Sequence, residues 1–364
     1  MTVKVTKPAI NVREELADLR KPTGIAGEAM LRAETPQEQF NLIGAGRRNI
    51  LINGDFSISQ RGDYSSATAT ANNVYSLDRW SLALSSVTGS VQHNEVVLPN
   101  GTKTMAMKVA GTSTNASIGY VGIRQVVEDF RVLSGQIVTA SMWVRTNLHS
   151  LTFRHDSTIN FGDYVTPDGQ WHYHTATYQM PTITSTGRNA NQTTLAIINY
   201  TGSAGGGVTS GEYFEVAQVQ LELGKVATPF EHRSYGEELA LCQRYYERIQ
   251  DHDPQSRDTS GVTSSEVLIG LGVCLTSSRV LGRLDGWKVT KRAAPTVSIS
   301  DNTQIEAIHT GAWYPATNTV NFRASIFGCR VDFTHGGSLT AGGAVELRLK
   351  NDGVEAYIEI DAEL

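Results

Sequence analysis

The sequence contains little cysteine and little charge. Its 364 residues include only three cysteines, Cys242, Cys274 and Cys329, an odd number that cannot form a fully paired disulfide framework. No two of them have the spacing of metal ligands, so we interpret them as buried thiols of a chain made in a reducing cytosol. Charged residues amount to 18 %, and the formal net charge is −5, without a basic run. We therefore expect no nucleic-acid partner, because phosphate binding needs clustered Lys and Arg.

Long apolar runs are also missing. No segment approaches the length of a membrane span, and the opening MTVKVTKPAINVREEL lacks the apolar core of a secretory signal peptide. We therefore expect no membrane insertion and no export by the ordinary secretory route.

Turn-forming residues are abundant: glycine alone contributes 34 residues. From residue 48 to 233 the side chains alternate as in half-buried strands separated by turns. In QIVTASMWVR, Val138 and Val144 fall on one face and Trp143 falls on the other. In EYFEVAQVQLELG one face holds Tyr213, Ala217, Val219, Leu221 and Leu223, and the other holds Gln218, Gln220 and Glu222. Many short antiparallel strands over this length predict a single jelly-roll β-sandwich.

Helical patterns occur in two short segments, of which residues 1–47 are the first. INVREELADLRK predicts a short helix with a thin apolar stripe of Ile10, Leu16 and Leu19. Because so few apolar side chains cannot form a core, we expect this segment to attach the protein to another surface or to copies of itself. The alternative is a frayed terminus.

The second helical pattern is SYGEELALCQRYYERI, which predicts a connecting helix over residues 234–250, with Ser234 and Glu237 forming a capping box. Its packing face at helical spacing consists of Leu239, Cys242, Tyr245, Tyr246 and Ile249. Because the apolar face wraps far around the helix, we interpret it as a joint that fixes one β domain against the next, near an oligomer axis. A surface helix and a receptor contact are the alternatives.

Strand patterns resume in residues 251–364, after the polar linker QDHDPQSRDTSG. TVNFRASIFGCRVDF and YIEIDAEL are examples, and they predict a second, smaller β domain. The expected fold class is therefore mainly β: a short N-terminal helical segment, a jelly-roll β-sandwich, a connecting helix and a second β domain.

Several stretches together resemble one family. They are NILINGDFSISQRG (49–62), LDRW (77–80), IRQVVEDFRVLSGQIVTASMWVR (123–145) and QVQLELGKVATPFEHRSYGEELALCQRYYERI (218–249). In this order they resemble the tail fibre and tail-tip receptor-binding proteins of bacteriophages, whose middle domain looks like a jelly roll of the carbohydrate-binding-module type. The resemblance is clearest over residues 48–250.

This resemblance implies a virion component that mediates attachment to the host. It implies a homotrimer, made in the host cytoplasm, that attaches to a tail or baseplate protein through residues 1–47 and binds host surface glycans. The C-terminal domain would then be the distal tip. The rival interpretations are a structural fibre or baseplate adaptor, a polysaccharide-degrading enzyme and a bacterial or prophage-derived lectin.

Aromatic side chains are the candidate glycan contacts, because modules of this class place Trp or Tyr faces against pyranose rings. The candidates are Trp143, Trp171, Tyr173, Trp313 and Tyr314. For each of them, packing in the core or against a hairpin is the alternative.

Acidic residues give little indication of catalysis. They fall in turn-like strings such as GDF, FGD and PDG, and nothing singles out the carboxylate pair that glycoside hydrolysis needs. No GxSxG motif occurs, so we expect no enzymatic activity. Asp55 in NGDF matches the place where jelly rolls of this type offer an acidic ligand, and the resemblance therefore implies structural Ca²⁺ at Asp55.

Overall fold

The computed structural model describes residues 48–128, 133–155, 159–182, 192–201, 204–250, 267–284, 286–349 and 356–363. The predicted attachment segment, with Ile10, Leu16 and Leu19, lies outside these ranges. Among the helices within them, none is long and apolar enough to cross a membrane.

The first domain is a sandwich of two antiparallel sheets. Its strands are β1 (Thr68–Thr70), β2 (Ser81–Ser85), β3 (Gly89–Val97), β4 (Lys103–Gly111), β5 (Tyr120–Glu128), β6 (Ile137–Thr146), β7 (Leu151–His155), β8 (Ile159–Phe161), β9 (His172–Gln179), β10 (Gln192–Thr201), β11 (Ala204–Gly205) and β12 (Tyr213–Leu223). A six-stranded sheet has the order β1-β3-β4-β12-β6-β9 and faces a sheet of order β2-β5-β10-β7-β8, with β11 paired to β10. This is the predicted jelly-roll sandwich.

The core of the first domain lies between these sheets. Met142 and Phe214 from the six-stranded sheet and Phe153 from the opposite sheet are fully buried in it. Trp80 is also fully buried, and its indole N–H donates a 2.8 Å hydrogen bond to the Asn53 carbonyl. Each side chain of this size contributes roughly 1.5–3 kcal/mol through burial. The LDRW and NGDF stretches therefore contribute buried side chains to the core of the first domain.

The alternation of inward-facing and outward-facing side chains in strand β12 changes partway along the strand. Its pairing shifts between Ala217 and Gln220, and Gln218 has a φ of 52°. Before the shift Phe214 packs in the core and Ala217 lies on the outer face, whereas after it Val219 packs in the core. The prediction that placed Ala217 on the core face was wrong because a bulge reverses the faces.

The second β domain follows the first after a helix. Its elements are α1 (Tyr235–Gln243), β13 (Tyr246–Gln250), β14 (Val267–Thr276), β15 (Arg279–Leu284), β16 (Thr296–Ile299), a 3-10 helix (Asn302–Gln304), β17 (Ile305–His309), β18 (Ala312–Pro315), β19 (Asn321–Ser325), β20 (Gly328–Thr334), β21 (Ala344–Leu349) and β22 (Tyr357–Asp361). A seven-stranded sheet of order β18-β17-β21-β14-β15-β20-β19 shares one core with the three-stranded sheet β13-β22-β16. The mainly β fold class is confirmed.

Helix α1 is shorter than the sequence predicted. Its cap is as expected, because the Ser234 hydroxyl accepts the Glu237 N–H at 3.3 Å. The helix ends at Gln243, however, and Tyr246–Gln250 pairs with β22 as a strand. The prediction of helix up to residue 250 was wrong in its second half. Tyr and Ile in YYERI favour strands, and the backbone pairing with β22 outweighs their helical spacing.

The buried face of α1 is also more polar than expected. The buried residues of the helix are Glu238, Cys242 and Gln243, while Leu239 is half-buried. The Glu238 carboxylate accepts the Asn53 N–H and forms an ion pair with Arg233 at 3.2 Å. Burial raises the pKa of Glu238. The helix is therefore held to the NGDF loop by buried polar contacts and not by an apolar stripe.

The two domains meet at a group of charged side chains, most of which are buried. Arg61 forms ion pairs with Asp361 and Glu363, and Arg79 also binds Glu363. Both arginines belong to the first domain, and both acidic residues follow or end β22 of the second. Ile249, which the sequence placed on the helix, lies in β13 and packs partly buried against the second core. The domains are thus joined by specific ionic contacts in addition to the chain connection.

Candidate functional site

The outer face of the six-stranded sheet brings together three of the predicted glycan contacts. Regular alternation in β6 directs Val138 and Val144 into the core and Trp143 outward. Trp143 is the cross-strand partner of Tyr173 in β9, and their ring centroids are 5.3 Å apart. Trp171 lies just before β9 and packs on the same apolar group as Trp143. We call this surface, formed by Trp143, Trp171 and Tyr173, the aromatic platform.

Small apolar side chains form the floor of the aromatic platform. Ala106 and Ala217 are fully buried there, and Leu98 is nearly so. Trp143 and Trp171 pack against this floor and are half-buried. Tyr173 remains 46 % exposed. The two indoles are thereby fixed in place, and the Tyr173 ring is presented to solvent.

A charged pair holds the edge of the aromatic platform. Arg145 lies across the strand pair from Glu215, and its Nη2 is 2.6 Å from the Glu215 carboxylate. Glu215 is fully buried and accepts a second, 3.4 Å hydrogen bond from the Asn94 amide. The guanidinium of Arg145 also lies over the Trp171 ring, 5.0 Å from its centroid. One arginine therefore neutralises the buried carboxylate and positions an indole.

The turn before β9 sets the position of Trp171. Gly169 has a φ of 71°, which glycine adopts without strain. The Asp168 carboxylate accepts the Gln170 N–H at 2.9 Å and lies 3.0 Å from His172 Nε2. The backbone hydrogen bond, followed by the contact with His172, lowers the pKa of Asp168. This Asp-based turn leads directly into Trp171 at the platform.

The two aromatic candidates of the second domain do not form a pair. Trp313 and Tyr314 follow one another in β18, so their side chains point to opposite faces of the seven-stranded sheet. Trp313 is 46 % exposed and lies 6.0 Å from the Arg348 guanidinium. Tyr314 packs against the core, with its ring 5.2 Å from that of His335. Only Trp313 therefore presents a ring face to solvent.

Asp55, the expected Ca²⁺ ligand, lies in a turn that its own side chain stabilises. Its carboxylate accepts the Ser57 N–H at 3.1 Å, as in an Asp-based turn. Within the described ranges, no group of three or more His, Cys, Asp or Glu side chains is arranged to hold a metal ion. No part of the function proposed below depends on calcium.

The cysteines are buried and unpaired, as the sequence indicated. Burial raises the pKa of Cys242 well above its usual value and raises the pKa of Cys329 to about 11. Thiols of this kind are poor nucleophiles at neutral pH. They do not contribute to a reactive site.

A second aromatic surface, which the sequence analysis missed, lies on the outer face of the opposite sheet. Tyr120 and Tyr200 meet edge to face at 5.5 Å, and the Arg154 guanidinium lies 3.9 Å from the Tyr200 centroid. The two tyrosines pack on Ile198 and its apolar neighbours. Alternation alone places Ile198 and Tyr200 on one face, but only the pairing of β5 with β10 brings Tyr120 to them.

The two facing antiparallel sheets of the first domain define this molecule as a β-sandwich protein. No family model matches the sequence, and no curated protein matches it. Similar solved structures include the enzymatically active domain of tailspike protein 4 of bacteriophage CBA120, with a TM-score of 0.31 and 11 % identity over 48 % of this chain and 21 % of that one. A protein described as sugar-binding from Bacteroides thetaiotaomicron has a TM-score of 0.31 and 11 % identity over 49 % of this chain and all (100 %) of that one.

A third similar structure is the family 11 carbohydrate-binding module of a cellulosomal cellulase of Clostridium thermocellum. It has a TM-score of 0.26 and 14 % identity over 45 % of this chain and 100 % of that one. At such TM-scores and identities these structures are distant neighbours in fold, and they do not bear on function.

Proposed function

We propose that this protein binds carbohydrate through the aromatic platform on its first domain. The observation that supports this most directly is the meeting of Trp143, Trp171 and Tyr173 on one sheet face, over a floor of small side chains. Aromatic faces stack on the apolar faces of sugar rings, and neighbouring polar groups bind the hydroxyls. Asn94 supplies an amide at this surface, where it contacts Glu215.

The biological role that we propose is attachment of a phage tail fibre to the host surface. The resemblance of residues 48–250 to tail fibre and tail-tip proteins supports this role. In this proposal the protein is a homotrimer in the virion, and residues 1–47 join it to the tail or baseplate. Several weak sites on one trimer would then combine into firm attachment.

We further propose binding without cleavage of the glycan. Glycoside hydrolysis needs two carboxyl groups that flank the scissile bond. The carboxylate at the aromatic platform, Glu215, is fully buried and already engaged by Arg145 and Asn94. Its contacts support a structural role for Glu215 in holding the platform.

The test measures glycan binding by the full-length protein and by variants of the platform. The probes are β-1,4-linked glucose and galactose oligomers and purified lipopolysaccharide of candidate host bacteria, titrated by calorimetry. Trp143→Ala and Tyr173→Ala should each weaken binding at least about tenfold, because central aromatic contacts contribute most of such affinities. Tyr235→Ala is the matched control, since Tyr235 is 63 % exposed on α1 and belongs to neither sheet of the sandwich.

The outcomes separate the rival functions. Binding that both platform variants retain would exclude the platform as the site. No binding of the wild-type protein to any probe or to intact host cells would instead favour the structural adaptor. Release of reducing ends from lipopolysaccharide would show an enzyme. Melting temperatures of the variants should be recorded in parallel, since Trp143 also packs on the sheet.

A further inference from the structure

Three arginines stand side by side on the outer face of the seven-stranded sheet. Arg283 in β15 is the register partner of Arg330 in β20, and Arg330 is the register partner of Arg323 in β19. All three side chains are exposed. Neighbouring strands are about 4.8 Å apart, so three like charges occupy successive positions along one line across the sheet. We call Arg283, Arg330 and Arg323 the arginine row.

The arginine row has no carboxylate partner in the described part of the chain. Asp332, two residues from Arg330 in β20, is engaged by Arg279 through an Nε–Oδ1 hydrogen bond of 2.9 Å. That hydrogen bond, and then the charges of Arg279, Arg330 and Arg323, lower the pKa of Asp332.

Like charges directly opposite each other across strands destabilise a sheet. The row is also unusual in a chain whose net charge is −5. Asp332, which is already paired with Arg279, offsets only part of the charge of the row, so a ligand can supply the remaining counter-charge.

Apolar side chains flank the arginine row. Leu271 in β14 is the register partner of Arg283 and is 63 % exposed. Phe327, in the turn between β19 and β20, is 65 % exposed. Both line an open groove of about 660 Å³, together with Leu281 and the three arginines. The groove thus combines a line of fixed positive charges with two exposed apolar surfaces.

We propose that this groove binds an acidic polysaccharide that carries carboxylates on its sugars. A guanidinium matches a planar carboxylate with two parallel hydrogen bonds, so each arginine can hold one sugar acid. A row of three favours a chain with regularly repeated charges over a single anion. Leu271 and Phe327 suit the apolar faces of the sugar rings.

The observations favour this ligand over nucleic acid. Binding of a phosphate backbone depends on a broad basic surface. Here the arginines form one short line next to Asp332, in an acidic protein. This site is in the other domain from the aromatic platform, and it does not depend on that platform being a glycan site.

The experiment titrates the full-length protein with polygalacturonate by calorimetry, at low and at high salt. Neutral dextran and inorganic polyphosphate are the comparison probes. We expect binding of polygalacturonate that weakens with added salt, and none of dextran. Arg330→Gln should weaken that binding at least about tenfold, because it removes a charge-assisted pair at the centre of the row. The double variant Arg283→Gln/Arg323→Gln should weaken it further.

Two controls make the result specific. Lys103→Gln removes the same charge from an exposed, salt-bridged lysine of the first domain and should leave binding unchanged. Arg330→Gln should melt no lower than wild type, since it relieves repulsion between like charges. A lower melting temperature with lost binding would point to a structural role and overturn the proposal.

Other results would also overturn the proposal. These are no binding of polygalacturonate, binding that survives in both arginine variants, and equally tight binding of polyphosphate, which would show attraction to charge without selection of carboxylates. Trp143→Ala should retain polygalacturonate binding, so failure of the aromatic platform and failure of the arginine row are distinguishable.

Discussion

Tyr245 and Tyr246 are adjacent in the chain, yet their hydroxyl groups bind carboxylates of opposite domains. Tyr245 donates a 2.6 Å hydrogen bond to Glu128 at the end of β5 in the first domain. Tyr246 donates a 2.7 Å hydrogen bond to Glu359 in β22 of the second. Because Tyr246 begins β13, its side chain belongs to the second domain while its neighbour remains docked on the first. This pair therefore ties the domains together at one point of the backbone.

Each of these tyrosine rings is covered by an arginine of the first domain. The guanidinium of Arg79 lies 3.5 Å from the Tyr245 centroid, and that of Arg61 lies 3.7 Å from the Tyr246 centroid. Both arginines also bind Glu363. Cation–π contacts of desolvated groups such as these contribute about 2 kcal/mol each. The joint is therefore a compact set of coupled contacts.

Removal of both rings should uncouple the domains. For Tyr245→Ala/Tyr246→Ala we expect two calorimetric unfolding transitions in place of one, with a loss of roughly 3–5 kcal/mol per buried ring. The milder Tyr246→Phe should cost about 1.5–3 kcal/mol, since it removes one hydrogen bond to a carboxylate. Tyr235→Ala, which removes an exposed ring, is the control. An unchanged melting profile of the double alanine variant would show that the tyrosines do not form the joint.

Glu128 should make the joint sensitive to acid. Its burial alone would raise its pKa, but the hydrogen bond from Tyr245 and the charges of Arg244 and Arg292 lower the pKa overall. A carboxyl group whose folded-state pKa is lowered contributes stability above its unfolded pKa of about 4.3. That contribution is lost as the pH falls through the folded value. The difference in melting temperature between wild type and Glu128→Gln should therefore be largest near neutral pH and shrink below about pH 4.

A matched variant tests this assignment. Glu95 forms an ion pair with Lys103 in which both side chains are largely exposed. Glu95→Gln should change the melting temperature little at any pH, because exposed pairs contribute little. If the melting temperatures of wild type and Glu128→Gln differ by the same amount from pH 3 to 7, the charge of Glu128 does not stabilise the joint. Tyr245 should remain protonated through this range, since burial, with the contact to Glu128, raises its pKa to about 12.

Lys291 and Glu247 form a buried ion pair near the same joint. Their side chains are 0 % and 2 % exposed, and Nζ lies 2.6 Å from the carboxylate. The ammonium also donates to the Gln243 carbonyl, at the end of α1. Lys291→Met should cost about 3–5 kcal/mol, because it leaves a buried carboxylate without its partner.

The double variant Lys291→Met/Glu247→Leu should recover most of that loss, since apolar replacement of a buried pair is often neutral. Urea denaturation of wild type, both single variants and the double variant gives the coupling energy. If the double variant loses as much unfolding free energy as the two single variants together, the two groups do not act as a pair.

Regular strands were predictable from the sequence, and interrupted strands were not. Unbroken alternation in β6 placed Trp143 on the correct face. In β12 the bulge at Gln218 reverses the faces, and no glycine or proline marks it in the sequence. For YYERI, helical spacing and strand propensity disagree, and pairing with β22, more than 100 residues later, decides between them.

The candidate sites were also only partly predictable from the sequence. Alternation places Trp143 on the face opposite Val138 and Val144, but its contact with Tyr173 depends on which strands are neighbours. The arginine row was missed for that reason: Arg283, Arg323 and Arg330 come from three strands whose order the sequence does not reveal. Long-range pairing, and not local propensity, creates both surfaces.

Gly270 provides a test of the sheet that carries the arginine row. It is buried in β14 at a shift in the pairing with β21, and it faces Leu284 of β15. A Cβ at this position would lie 2.0 Å from the Arg283 carbonyl oxygen, so the two strands would have to separate. Gly270→Ala should therefore destabilise the second domain by about 1–3 kcal/mol, as overpacking does.

Gly236 in α1 is the matched control for that substitution. A Cβ there would meet nothing within 4 Å, and alanine is the better helix former. Gly236→Ala should stabilise the protein by about 0.5–1 kcal/mol. Calorimetry of both variants tests the expected changes in stability, and titration of Gly270→Ala with polygalacturonate tests the effect on binding. Because the added Cβ would displace the backbone of Arg283, the titration should show weaker binding. A Gly270→Ala protein that melts and binds like wild type would contradict the close approach of β14 to β15.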